Sequence, residues 1–123
     1  MQIAIMNEQV LDEDIKDLVA EFEAEGIEVR SIELSRKTFP GFHEVLIFVA
    51  VSAGHLVVAA LIEKAVKWGK KKVTEHFAEP VVIKIFETGG IPRAAARVLP
   101  SGEVEEIDAA KIPQRAVLPI HLL

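Results

Sequence analysis

From Val45 to Ile62 the chain is apolar at every position except Ser52, Gly54 and His55. No other feature limits the possible folds as much. The wider stretch from Phe42 to about Lys72 contains no proline and no cluster of loop residues. It therefore reads as one long helix, bent at Gly54. A helix apolar on every face cannot lie on a water-facing surface. It has to hide inside the domain, in lipid, or against a copy of itself.

A bilayer needs about 20 apolar residues in a helix, with a lower limit near 17. Residues 45–62 reach that limit, and the lysines that follow would mark the cytoplasmic side of a single inner-membrane span. Such a span would carry the acidic N-terminal region outward and leave His55 near the midplane in need of a partner. Burial within one molecule meets a different obstacle, because a two-layer sandwich covers only one face of its helices. Burial between subunits resolves this, since Ser52, Ala53 and Gly54 let two backbones approach closely. Exposed apolar patches of this size are rare on monomers, and two-fold self-contacts are the commonest oligomer geometry. The expected product is a cytoplasmic homo-oligomer with Val49, Ser52, Ala53, Leu56 and Ala60 at the interface.

The flanking sequence reads as an ordinary small domain. Ile3, Ile5 and Val10 mark an opening strand. Asp12-Glu13-Asp14 supplies a cap and first-turn acids, and Ile15, Leu18, Val19 and Phe22 follow at helical spacing. Gly26 sits where a left-handed residue ends the helix. In residues 27–34 the apolar parity switches between Val29 and Ile32, which predicts a bulge near Arg30-Ser31. Pro40-Gly41 marks a loop before the apolar run. Val81 to Phe86 is the clearest strand, and turns at Thr88-Gly89-Gly90 and Pro100-Ser101-Gly102 fold the chain into a three-stranded meander. Residues 108–123, rich in apolar groups but broken by Pro113 and Pro119, read as an irregular tail. The whole is a single α/β (α+β) two-layer sandwich over residues 1–123, in the order strand, helix, strand, long helix, antiparallel meander.

The chain of 123 residues is half hydrophobic, which excludes a disordered protein. It has no cysteine, so disulfides, thiolate nucleophiles and cysteine-zinc sites are excluded. The opening residues have no basic region before an apolar stretch, so no secretory signal is expected. Residues 1–44 carry 11 acids against 4 Lys or Arg, and residues 45–79 carry 5 Lys against 3 Glu. A short basic knot beside an acidic front does not make the broad basic face that nucleic acid requires.

Candidate chemistry is sparse. Ser52 and His55 share a helical face, but no third group or oxyanion site accompanies them. Glu75, His76 and Glu79 offer one imidazole and two carboxylates before Pro80, a pattern that more often belongs to solvated surface than to a metal. Thr88-Gly89-Gly90 with Arg93 could cradle phosphate only if a helix followed, and a strand follows instead. Lys64 to Lys72 reads as a solvated helix end suited to the macrodipole. No catalytic residue, metal or cofactor is assigned.

A Pro-Gly loop, the run Val45 to Gly54, the segment Trp68-Gly69-Lys70-Lys71-Lys72 and the strand Val81 to Phe86 together resemble the effector-associated constant components of bacterial conflict systems. The resemblance covers residues 44–86. It departs from the family pattern at His55, where a second glycine is usual, and at Thr88-Gly89-Gly90, where an Asp-Gly turn is usual. It implies a non-enzymatic accessory protein that partners an effector. Two other readings remain open: a single-span membrane protein with a small cytoplasmic β domain, and a ligand-binding protein or enzyme using His55 and Ser52.

Overall fold

The computed structural model describes residues 2–8, 12–35, 43–49, 54–75, 78–87 and 90–113. Strands β1 (Gln2–Glu8), β2 (Glu28–Ser35), β3 (His43–Val49), β4 (Val81–Glu87), β5 (Pro92–Val98) and β6 (Val104–Ile107) form one open sheet in the order β2-β1-β3-β4-β5-β6. Helix α1 (Asp12–Ala24) joins β1 to its parallel neighbour β2, and α2 (His55–Glu75) joins β3 to its parallel neighbour β4. The pairings β1–β3, β4–β5 and β5–β6 are antiparallel. The fold is thus a mixed α/β two-layer structure.

Because β1 and β3 run in opposite directions, a half-turn in the plane of the sheet carries one strand-helix-strand unit onto the other. Crossovers of one hand therefore place both helices on the same face. Ile15, Leu18 and Phe22 of α1 join Val58, Leu61, Ala65 and Trp68 of α2 over Ile3, Ile5, Val45, Ile47, Ile83 and Ile85 of the sheet.

The long helix expected from Phe42 to Lys72 does not exist. His43–Val49 is a central strand, and the helix begins at His55, after Gly54. Val45, Ile47 and Val49 of β3 face the helices. Leu46 and Phe48 face the other way, in a second buried cluster with Ala4 and Phe86. A strand buried on both faces reads as a continuous apolar run, and continuity alone does not separate it from a buried helix. The strand order predicted from sequence accordingly lacked one strand. Among the described residues no helix is long and apolar enough to cross a membrane.

Other expectations stand in detail. Gly26, at φ 82°, closes α1, with Gly26 N–H bonding to Glu23 O at 3.0 Å and Ile27 N–H to Phe22 O at 3.1 Å. This pair of bonds is a Schellman cap. Ile3 pairs with Val29 while Ala4 pairs with Ser31, so Arg30 is the extra residue of the anticipated bulge. The meander is present as β4, β5 and β6. Gly90 N–H to Glu87 O at 2.8 Å and Glu87 N–H to Ile91 O at 2.9 Å close its first turn. Within the expected tail, Ala109–Lys111 forms a short 3-10 turn capped by Asp108, and Ile112 packs against the second cluster. Val10 and residues 114–123 lie outside the described residues.

Candidate interaction surface

Helix α2 buries one side and presents the other. At 3.6 residues per turn, Leu61, Ala65, Trp68 and Lys72 fall on its inner side, and all are buried. Leu56, Ala60, Glu63, Lys67, Lys70 and Thr74 fall on the outer side, and all are exposed. Leu56 is 83% exposed, the most of any large apolar residue among those described.

Beside this ridge lies an open groove of about 890 Å³ between α2 and the β5–β6 ribbon. Its α2 wall is formed by Ala59, Ile62, Glu63, Val66, Lys67 and Lys70. The register of β4, β5 and β6 turns Ala94, Ala96, Val104 and Glu106 toward the helix side. Two alanines where larger residues would fill the layer leave the floor low. The helix comes close to the sheet at Gly69, where an added Cβ would lie 3.1 Å from Val98 Cγ2. Lys67, Lys70 and Val104 occupy one end of the groove, while Glu63, Glu106 and Asp108 line it toward the other.

The inner side of α2 carries a charge that sequence reasoning placed in solvent. Lys72 is 3% exposed and pairs with buried Asp14 at 3.1 Å, and also with Asp17 and Glu75. Burial works against its charge, but hydrogen bonds to Asp17 and Asp14 outweigh that and raise its pKa to about 12. The hydrogen bond from Lys72, and then its charge, hold the Asp17 carboxyl below the usual value. Lys64 reaches Glu21 of α1 and Glu25 just past its end at 3.7 Å each. The signal for Lys72 was its spacing: it lies four residues after Trp68 and seven after Ala65, on the apolar face.

The predicted site residues scatter. Val49 is fully buried in β3 within one molecule. It cannot line a helix-to-helix contact, because it belongs to a strand at the centre of the core. Leu56 and Ala60 lie together on the exposed ridge. Ser52 and Ala53 fall outside the described residues, and His55 is the first residue of α2. Glu79 reaches His43 Nε2 at 3.6 Å and Glu75 turns to Lys72, while His76 is outside the described residues. Arg93 bonds Glu87 at 2.8 Å across the β4–β5 turn, so its guanidinium is committed to the hairpin. Among the described residues no group of three or more His, Asp or Glu could hold a metal ion.

These features define a two-layer α/β domain with an exposed helical ridge and an apolar-floored groove beside it. No family model, no curated protein and no solved structure matches the chain.

Proposed function

We propose that the protein is a non-enzymatic assembly subunit that self-associates and docks other chains through the outer face of α2. The observation that carries this reading is Leu56, almost wholly exposed at the head of a ridge it shares with exposed Ala59 and Ala60. A large apolar side chain standing clear of the core, next to a groove with an apolar floor, is the pattern of a surface that meets protein. An effector of a bacterial conflict system as a further partner rests on the sequence resemblance of residues 44–86, which fold as the β3-α2-β4 unit.

Leu56→Asp tests the reading without disturbing the core, because the side chain makes no part of it. Light scattering should give an oligomeric mass for the unaltered protein and a monomeric mass for the variant, with unchanged circular dichroism. A monomeric mass for the unaltered protein at high micromolar concentration refutes self-association.

A further inference from the structure

We infer that the partner on this ridge is a second copy of the chain, its α2 lying antiparallel about a two-fold axis at the level of Ala65. The inference rests on the self-association proposed above and specifies its register. Three observations carry it.

The first is the order of groups along the ridge: Leu56, Ala59 and Ala60, then Glu63, then Lys67, Lys70 and Lys71, all exposed. Apolar and acidic groups lie toward the N-terminus and basic groups toward the C-terminus. An antiparallel copy reverses that order, so the ridge is complementary to itself. A parallel copy would set Glu63 on Glu63 and Lys67 on Lys67, which like-charge repulsion disfavours.

The second is the register itself. With the axis at Ala65, Glu63 faces Lys67 of the partner subunit, and Lys67 faces the partner's Glu63. Both pairs form or neither does, as an isologous contact requires. The same register sets Ala60 opposite the partner's Lys70, and Leu56 opposite the partner's Thr74. The alkyl stems of Lys70 and Lys71 and the methyl of Thr74 then cover Leu56.

The third is availability. Glu63 and Lys67 are four residues apart on the exposed side, and neither has an ion-pair partner among the described residues. Lys64, by contrast, is drawn to α1 by Glu21 and Glu25. The helix thus divides its charges, with one lysine clamping the monomer and its neighbours facing outward.

Charge variants at these two positions test by sedimentation velocity whether they meet across the contact. Glu63→Lys alone sets four lysines at the two crossings, and Lys67→Glu alone sets four glutamates. Each should weaken the dimer by roughly tenfold or more at low salt. Mixing the two single variants restores opposite charges at both crossings, so a heterodimer should form where neither variant dimerises alone. Circular dichroism confirms that each variant is folded. If the unaltered protein dimerises and the mixture does no better than the separate variants, the antiparallel register is wrong while self-association stands. If the unaltered protein is monomeric throughout, both fall together.

Discussion

The indole Nε1 of Trp68, midway along α2, donates a 2.9 Å hydrogen bond to the backbone carbonyl of Asp14 in the first turn of α1. One turn further along α2, Lys72 reaches the carboxylate of the same aspartate at 3.1 Å. A single residue of α1 is therefore held by its main chain and its side chain at once. Two buried polar groups fix how the helices cross, among apolar contacts that tolerate sliding and beside the more exposed pairs of Lys64 with Glu21 and Glu25.

Trp68→Phe keeps most of the ring's bulk and removes the donor. The Asp14 carbonyl loses this partner in a buried place, so chemical denaturation followed by circular dichroism should show a loss of about 1–3 kcal/mol. An unchanged midpoint would show that the bond contributes nothing.

Removing one member of a buried ion pair strands the other, so Lys72→Met should cost about 3–5 kcal/mol. Adding Asp14→Leu removes the stranded charge, and the double variant should recover much of the loss. Without that recovery, the harm comes from altered packing.

The pH dependence has two signs. Lys72 titrates in the folded state near 12, above its ordinary value of 10.5. Its contribution is complete below pH 10.5 and disappears as the pH rises toward 12. Asp17 is shifted down from 3.8, so its contribution is present above that pH and fades as acid protonates it. Urea midpoints should fall above pH 10.5, and Lys72→Met should flatten that alkaline limb.

Gly69 sits where α2 meets Val98. A helix-interior glycine costs about 1 kcal/mol relative to alanine, yet the new methyl would press on Val98 Cγ2. Gly69→Ala should therefore change stability little, whereas Gly69→Val should lose about 1–3 kcal/mol by overpacking. Thermal melts of the two variants separate propensity from space, and equal melting points would discount the contact.

Strand β6 ends the sheet and carries Glu105 and Glu106 between Val104 and Ile107. Charges on an edge strand discourage pairing with other molecules. Glu105→Val with Glu106→Val would leave an apolar edge, and turbidity on concentration should rise well above that of the unaltered protein. A clear, monodisperse solution would assign the glutamates no protective role.

Where local chemistry decides an element, the sequence was readable. The α1 stripe, its stop at Gly26, the bulge at Arg30 and the turn at Gly90 each follow from spacing or backbone freedom within a few residues. The stretch Phe42 to Lys72 was misread for the opposite reason. Val45 to Val49 is apolar because the helices cover one face of the strand while Leu46 and Phe48 pack on the other with Ala4, Phe86 and Ile112, and that covering comes from distant parts of the chain. The signal within it was composition: Val45, Ile47, Phe48 and Val49 are β-branched or aromatic, and Gly54 separates them from a segment with true helical periodicity. Of the expected interface, Leu56 and Ala60 were legible as helix positions, but only their neighbours could show that they face outward.

Hydrophobic spacing and glycine placement are properties of the chain itself, and they determined that two helices and a meander would form. Tertiary structure alone decided that β3 lies at the centre of the sheet, that Lys72 turns inward to Asp14, and that Glu63 and Lys67 stay outside. Those outcomes depend on which surface each residue meets. Spacing puts Trp68 and Lys72 on the inner side of α2, but the Asp14 they meet there lies more than fifty residues away, and only the packed fold supplies it.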